Sequence, residues 1–131
     1  MEIFTGDIST SKFPSLPVKT SASTMFMHDG DILVCGGYDN EKNCLQLTRG
    51  TWKNHSTLNE NRVGHSTVTT QTATFVFGGS YSDKTYEYLP KDSTKWLMGK
   101  TEIPLGFENG CAIAVKSEQE IWLIGGLTAM A

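Results

Sequence analysis

The pair Gly-Gly occurs three times in this chain, each time directly after a short apolar run. The three segments are residues 32–37, 74–79 and 121–126. The pairs Gly36-Gly37, Gly78-Gly79 and Gly125-Gly126 thus recur at nearly constant intervals along the chain. Self-similarity at a period of about 20 to 50 residues is typical of repeat architectures, in which one unit cannot bury its apolar face alone. We therefore expect an array of similar units.

Alignment on the glycines predicts the strands of each unit. First strands are predicted at 21–27, 65–70 and 111–115, and the second strand of each unit is the apolar run that ends at the glycines. Runs of four apolar residues are typical of strands buried on both faces. The polar stretches 28–31, 71–72 and 116–119 are predicted hairpin turns. The first is the clearest, since its Asp29-Gly30-Asp31 contains residues that tolerate the positive φ that tight hairpins need. Third strands are predicted at 43–47 and 85–89.

A tryptophan follows the first two Gly-Gly pairs after a similar delay. Trp52 follows Gly37, and Trp96 follows Gly79 at nearly the same spacing. Each tryptophan is predicted to open a fourth, outer strand, and its recurrence favours packing between units over stacking on a ligand. Residues 53–62 and 97–107 are then expected to be loops that lead to the next unit. Each unit of about 44 residues would contain four antiparallel strands.

This order of features resembles the kelch repeat. An apolar run, Gly-Gly, a tyrosine, a strand and a spaced tryptophan appear in VCGGYDNEKNCLQLTRGTW and FVFGGSYSDKTYEYLPKDSTKW, and an arginine leads to the next strand. One kelch unit is a four-stranded blade of a β-propeller. The resemblance implies an all-β fold, a partial kelch-type propeller. Its parts would be an N-terminal approach segment at 1–18, blade 1 at 19–62, blade 2 at 63–107 and a truncated blade 3 at 108–131.

The number of blades has a consequence for assembly. Propellers typically close with about four to eight blades, which is more than these repeats supply. We therefore expect this sequence to be a fragment of a longer propeller or one part of a multichain ring. Exposed blade faces and a bare strand edge favour association, so self-association of this chain is expected.

Charge and hydropathy narrow the class of partner. The net charge of −3 comes from 14 acidic and 11 basic residues without a long run of one sign, which disfavours nucleic acid. No apolar stretch approaches the roughly 20 residues that span a bilayer, so no membrane insertion is expected. The N-terminal segment 1–30 also lacks the basic start and apolar core of a secretion signal. The partners expected are proteins, peptides or small polar ligands.

The cysteines and one sequon bear on the compartment. Cys35 and Cys44 flank the first Gly-Gly loop in adjacent predicted strands, so a disulfide is predicted, with two reduced core thiols as the alternative. The pattern also resembles extracellular-type animal kelch proteins, and Cys111 would remain a buried free thiol. Asn54 begins a possible glycosylation sequon. These residues favour an extracellular location, whereas the missing signal favours a cytoplasmic one.

No cofactor, metal or catalytic residue is predicted. His28, His55 and His65 fall at unrelated positions of their units, with no shared neighbour that would make a metal triad or a catalytic pair. Each is therefore expected to be a solvated or capping side chain. The cysteines and histidines also lack the short spacings typical of zinc sites. The alternative to a non-enzyme is part of a propeller enzyme of the galactose-oxidase-like or sugar-isomerising type, with its active site in missing blades.

The resemblance also implies a binding surface. In kelch propellers, the loops after Gly-Gly and the loops between blades lie on one face and contact partners. Residues at these positions here are Tyr38, Asp39, Asn40, Glu41, Asn59, Asn61, Arg62, Ser80, Tyr81, Ser82, Asp83 and Glu108. Exposed Tyr with Arg and Asn is typical of binding surfaces, although Arg62 has a structural alternative as a donor to loop carbonyls. The predicted function is non-catalytic binding of a protein or peptide.

Overall fold

All regular structure in the described residues is β-strand. The computed structural model describes the backbone of residues 2–4, 10–12, 14–115 and 120–127 and the side chains of residues 14–111 and 120–126. Over these ranges no helix forms that is long and apolar enough to cross a membrane. A short antiparallel hairpin of β1 (Glu2–Phe4) and β2 (Thr10–Lys12) comes first in the chain. The predicted all-β class is confirmed.

Two four-stranded antiparallel sheets follow, each with its strands in sequence order. Sheet 1 consists of β3 (Thr24–His28), β4 (Asp31–Cys35), β5 (Asn43–Thr48) and β6 (Thr51–Thr57). Sheet 2 consists of β7 (Ser66–Thr69), β8 (Ala73–Phe77), β9 (Tyr86–Pro90) and β10 (Leu97–Met98). A further pair, β11 (Glu108–Val115) and β12 (Glu120–Leu127), is also antiparallel. We refer to residues 19–62, 63–107 and 108–131 as units 1, 2 and 3.

The strand registers coincide from unit to unit. The first and second strands pair Thr24 with Cys35 in sheet 1, Ser66 with Phe77 in sheet 2 and Cys111 with Ile124 in unit 3. In every case the second member of the pair directly precedes Gly-Gly. The glycines are therefore a reliable register mark, and the sequence alignment on them is correct.

Sheets 1 and 2 pack face to face. Alternation along β3 directs Thr24, Phe26 and His28 toward sheet 2, where Phe26 meets Trp96 edge-on with ring centroids 6.1 Å apart. The buried apolar cluster between the sheets comprises Phe26, Leu33, Cys35, Cys44, Leu58, Val76, Leu89 and Trp96. We call the side of a sheet that faces the next unit its forward face and the opposite side its rear face. Side chains Met25 and Met27 thus lie on the rear face of sheet 1.

The Gly-Gly pairs of units 1 and 2 let the next unit approach the end of the second strand. Gly36 has a φ of +69°, and a Cβ there would lie 2.5 Å from Cε1 of His65 and 2.7 Å from the carbonyl oxygen of Arg62. The next glycine, Gly37, donates its N–H to that Arg62 carbonyl at 2.9 Å. In unit 2 the Gly79 N–H donates to the Phe107 carbonyl at 2.8 Å in the same way. A side chain would block this approach, which explains why the motif repeats.

The structure corrects several predicted boundaries. Residues 53–57 belong to β6 and not to a loop, β10 begins one residue after Trp96, and β12 continues through its glycines to Leu127. Cys111, expected to be buried, is exposed. The turn predicted at 116–119 lies outside the described residues.

Candidate functional site

The loops chosen from the sequence are fastened to one another at one edge of the sheets. In unit 1 the Leu58 N–H donates to the Lys42 carbonyl at 2.7 Å and the Arg62 N–H to the Glu41 carbonyl at 2.9 Å. In unit 2 the Ile103 N–H donates to the Lys84 carbonyl at 2.8 Å and the Phe107 N–H to the Asp83 carbonyl at 2.7 Å. We call residues 38–42, 58–62, 80–84 and 103–107 the loop surface. Each post-glycine loop is thus bonded to the linking loop that follows it.

Arg62 lies beneath this surface and not on it. Its side chain is fully buried, and Nε donates to Oε2 of Glu87 at 3.0 Å. Nη1 donates to the carbonyl oxygens of Gly78, Ser82 and Thr85 at 2.9, 3.3 and 3.1 Å. The guanidinium therefore satisfies loop carbonyls, which is the structural role that the sequence left open for it.

Glu87 completes this buried group from β9. It is fully buried, and its Oε1 accepts the backbone N–H of Asn59 at 2.8 Å and the Asn59 side-chain amide at 3.1 Å. Oε2 also accepts the Glu60 N–H at 3.2 Å. Both charges are paired and hydrogen-bonded. One polar network therefore holds the linking loop at 58–62 and the post-glycine loop at 80–84. Sequence reasoning missed Glu87, although alignment of the units places it at the position of Leu45, an apolar strand residue.

Two further predicted binding residues are buried. Asn40 donates from Nδ2 to the carbonyl oxygens of Gly36 at 3.4 Å and Asn43 at 3.1 Å, which closes its own loop. Ser82 donates to the Asn61 carbonyl at 3.0 Å and lies 3.1 Å from Oε2 of Glu60. These side chains shape the loops and are not open to a partner in this arrangement.

Two tyrosines and Leu105 are the large apolar side chains exposed on the described loop surface. Tyr38 is 51 % exposed and Tyr81 is 60 % exposed, one on each post-glycine loop. Among the other predicted residues, Asp39, Asn61 and Ser80 are exposed, whereas Asp83 is half-buried, as are Glu41 and Glu108. A cleft of about 180 Å³ lies beside Tyr38, lined also by Lys19, Thr20, Ser21 and Asp39. It can accept a side chain from a partner.

A second polar group lies at the opposite end of the sheets. The rings of His28 and His55 meet edge-on with centroids 5.5 Å apart, a contact that the sequence did not predict. His28 Nε2 lies 3.0 Å from the Ser93 carbonyl and 3.1 Å from Oδ2 of Asp29. Since a carbonyl only accepts, Nε2 must carry the proton. The pair joins the first turn of sheet 1 to unit 2, and β3 contributes His28 where the sequence predicted a turn.

His55 is held from the other side by Ser56. Its Nδ1 lies 2.8 Å from the Ser56 hydroxyl, which also accepts the Trp96 Nε1–H at 3.1 Å. Burial, followed by the neighbouring His28, lowers the pKa of His55, while Asp29 and Asp31 act in the opposite direction. A cleft of about 260 Å³ opens nearby, with Asp29, Thr70 and Lys91 in its lining.

His65 is buried between units 1 and 2, contrary to the expected solvated or capping role. Its Nε2 lies 2.8 Å from the Thr24 hydroxyl, and its Nδ1 is buried without a hydrogen-bond partner. Burial, and then the positive charge of Arg62, lower the pKa of His65 to about 4. The ring is therefore neutral at physiological pH and acts as packing between the sheets.

The remaining predicted residues have clear places. Cys35 and Cys44 lie directly opposite each other on β4 and β5 and are paired as a disulfide, as predicted. Trp96 is buried between the sheets as expected, whereas Trp52 is half-buried and donates Nε1–H to the Pro14 carbonyl at 2.9 Å. The sequon residue Asn54 is exposed on β6.

Metal-binding groups and known proteins give no further assignment. Where side chains are described, no three His, Cys, Asp or Glu residues converge in a way that could hold a metal ion. In comparisons with known proteins, the chain matches no protein-family model and no curated protein sequence.

Proposed function

We propose that this chain is a partial kelch-type propeller that binds a protein or peptide, without catalysis, through its loop surface. The observation that carries the proposal is the pair of exposed tyrosines, Tyr38 and Tyr81, on loops whose backbones are fixed from below. Tyrosine supplies a large apolar area with a polar tip at low entropic cost, and it is enriched at binding hot spots. Fixed loops also reduce the ordering cost of association.

The repeated geometry supports the fold part of the proposal. Units 1 and 2 share strand order, register and the hydrogen bond from the second glycine to the following unit. The first strands of all three units lie side by side, with β7 contacting both β3 and β11. This is the arrangement expected if sheets are placed radially around an axis.

The buried network supports the functional part. Arg62 and Glu87 neutralise each other below the loops. The groups left for a partner are tyrosine rings and hydroxyls, carboxylates such as Asp39, short polar side chains, the ammonium groups of Lys42 and Lys84, and the apolar side chain of Leu105. Such a surface suits a peptide that inserts one side chain into the cleft beside Tyr38 and covers both rings.

A peptide library displayed on phage tests the proposal. Peptides enriched on the intact chain would be synthesised, and their Kd would be measured by calorimetry for the wild type, for Tyr38→Ala with Tyr81→Ala, and for Met98→Ala. Loss of one hot-spot ring costs about 2 kcal/mol or more, so loss of both should weaken binding by at least about thirtyfold. Met98, an exposed side chain on β10, is the matched control and should leave Kd unchanged.

The outcomes separate clearly. If the tyrosine double variant keeps its circular dichroism spectrum and loses binding while Met98→Ala binds normally, the loop surface is the site. If no peptide is enriched, or if enriched peptides bind the double variant as tightly as the wild type, the proposed surface is wrong.

A further inference from the structure

The second strand of unit 3 has an open edge. In units 1 and 2 the second strand pairs with a third, β4 with β5 and β8 with β9, whereas in the part of the chain that the structure describes β12 pairs only with β11. Gly36 and Gly78 each donate their N–H to the third strand. An antiparallel ladder directs every second residue to the same side. The N–H groups of the equivalent Gly125 and of Leu123 therefore face the open edge.

An apolar cleft borders this edge. It has a volume of about 310 Å³ and lies between the linking loop at 103–107 and the rear face of β12. Ile103, Leu105 and Phe107 line it from the loop, and Leu123 lines it from the strand. Leu123 is half-buried, whereas its equivalent in sheet 2, Val76, is fully buried beside β9. The cleft is thus at the place that a third strand occupies in sheet 2.

Sheet 2 shows what fills the equivalent place there. The third-strand residue opposite Val76 is Glu87, and its carboxylate reaches the linking loop at 58–62. That loop supplies the donors that the carboxylate requires, among them the Asn59 N–H and the Arg62 guanidinium. A third-strand side chain thus closes the cleft, and its polarity matches that of the linking loop it meets.

The linking loop at 103–107 lacks these donors. Phe107 stands at the place of Arg62, because the carbonyl of each accepts the N–H of the preceding Gly-Gly pair. Three residues earlier, Pro104 stands at the place of Asn59, and proline has no N–H. A carboxylate in this cleft would be buried without its partners, which is costly, whereas an apolar side chain would pack against the loop.

Sheet 1 provides the apolar precedent. Thr20 holds the place of Arg62 there, because its hydroxyl also donates to the carbonyl of the first glycine of a pair. The residues before it, Leu16-Pro17-Val18, then match Ile103-Pro104-Leu105 in position and in character. The third strand of sheet 1 carries Leu45 at this point, and its side chain is buried. An apolar linking loop is thus matched by a leucine.

We propose that the edge of β12 binds an extended segment of a partner protein, which adds as an antiparallel third strand and places a leucine-like side chain opposite Leu123. Main-chain hydrogen bonds supply the affinity in such strand addition, and the cleft supplies the specificity. The side chain two residues further along the partner strand would lie opposite Ile121, as Leu47 lies opposite Ile32. The partner therefore carries apolar side chains at alternate positions. The proposal does not depend on the exposed tyrosines of the loop surface.

Peptides taken from the chain's own third strand test the proposal. The probe is a fluorescent peptide of residues 41–48 with Cys44→Ser, and its matched control also carries Leu45→Glu, the residue type that β9 has at this point. Binding to the intact chain would be followed by fluorescence anisotropy. The leucine peptide should bind saturably. The glutamate peptide should bind at least about tenfold more weakly, because its carboxylate would be buried without a donor.

Two further measurements locate the peptide. Amide exchange followed by nuclear magnetic resonance should slow at Leu123 and Gly125 when the leucine peptide binds, and stay unchanged at Trp122 and Ile124, whose N–H groups face β11. Leu123→Glu should weaken the leucine peptide by at least about tenfold. Met98→Glu adds the same charge at an exposed position outside the cleft and should bind as the wild type does. If Leu123→Glu does not fold, as judged by circular dichroism, the exchange pattern of the wild type decides.

Several results would overturn strand addition at β12. One is that the leucine peptide does not bind saturably, and another is that both peptides bind equally well. Binding that slows amide exchange elsewhere and not at Leu123 and Gly125 would place the peptide on another surface. If these two amides are protected in a dimer of the chain that excess peptide does not dissociate, the edge is held by a second copy and not by a partner protein.

Discussion

Sheets 1 and 2 share strand order and register, but they close the loop after Gly-Gly by different chemistry. In sheet 1 the strand positions at the mouth of the loop are Cys35 and Cys44, joined as a disulfide. In sheet 2 the same positions are Phe77 and Tyr86, whose rings stack with centroids 5.4 Å apart. The post-glycine loop is thus closed by a covalent bond in sheet 1 and by an aromatic contact in sheet 2.

The two sheets also differ beneath the loops. Beneath the loop of sheet 2, Glu87 of β9 pairs with Arg62 of the preceding linking loop, whereas Thr20 and Leu45 take the equivalent places beneath the loop of sheet 1. The backbone bonds that recur between units do not change with these substitutions. It follows that the glycines and the backbone set the repeat, while the side chains that fix each loop can differ from unit to unit.

The largest effect is expected when the ion pair of sheet 2 is broken. Glu87→Leu leaves the Arg62 guanidinium buried without its carboxylate and removes the acceptor of the Asn59 and Glu60 N–H groups, so it should lower the free energy of unfolding by about 3–5 kcal/mol. Chemical denaturation measures this loss. Leu45, at the equivalent place in sheet 1, shows that an apolar residue is compatible with the strand itself.

Two further variants identify the cause of that loss. Glu60→Gln changes a half-exposed carboxylate 3.7 Å from Arg62 Nη2 and should cost less than about 1 kcal/mol. In a double-mutant cycle, Arg62→Met with Glu87→Leu should cost about 1–3 kcal/mol less than the sum of the single variants. Additive losses would mean that the pair is not coupled and that the two sheets differ less than we argue.

The next effect concerns pH and also distinguishes the units. The position of His65 in unit 2 is occupied by Ser23 in unit 1. Burial lowers the pKa of His65 from 6.5 to about 4, so between these values the unfolded state takes up a proton and the folded state does not. Stability should therefore be intact above about pH 6.5 and should fall, by on the order of 3 kcal/mol, as the pH drops to about 4.

Carboxylates titrate in the same pH range and also change the stability. The contribution of His65 is therefore measured as the difference in the free energy of unfolding between the wild type and a variant without this histidine. The free energy of unfolding would be followed from pH 7 to pH 4 for the wild type and for His65→Gln, which retains an amide near Thr24 but cannot be protonated there. The gap between the two curves should change by about 3 kcal/mol over this range. Parallel curves would show that His65 does not remain neutral in the folded protein.

Reduction of the Cys35–Cys44 disulfide should destabilise the loop of sheet 1 and leave the loop of sheet 2 unchanged. The disulfide links residues 9 apart in sequence, and loop-closure entropy for a ring of this size predicts a loss of about 2–3 kcal/mol on reduction. Hydrogen exchange should accelerate in residues 36–43 and stay unchanged in 78–85. The variant Cys35→Ala with Cys44→Ala should not respond to reductant, and a response there would point to Cys111 instead.

The sequence was sufficient for the features that depend on local pattern. The Gly-Gly pairs mark a backbone conformation and a close approach that favour glycine, so they indicated the strand order and the placement of Cys35 and Cys44 on adjacent strands. The register that sets the two cysteines opposite each other is known from the structure. Trp96 was correctly expected between sheets. These inferences needed only the repeat and the alternation of side chains along a strand.

Features that depend on contacts between units were not predicted. Arg62 and Glu87 are 25 residues apart, and the sequence does not say that both point into the same space. His28 and His55 meet only because β3 and β6 belong to one sheet whose turn packs on unit 2. Cys111 was expected to be a buried thiol, but it is exposed, whereas its equivalent in sheet 2, Ser66, is buried.

The smallest effect is expected at a position with positive φ that a different residue occupies in each unit, and there it should be a gain in stability. Ala22, Gly64 and Asn109 are equivalent and all have positive φ, at 56°, 70° and 55°. Glycine and asparagine tolerate this conformation, whereas alanine does so at a cost of about 1–2 kcal/mol. Ala22 is exposed, so Ala22→Gly loses little packing and should stabilise the chain by about 0.5 kcal/mol after the entropy of glycine is included. Gly64→Ala should destabilise it, because the new Cβ would also lie 2.5 Å from Oδ1 of Asn109. Thermal unfolding of both variants measures the contrast, and a loss of stability in Ala22→Gly would show that the two positions are not equivalent.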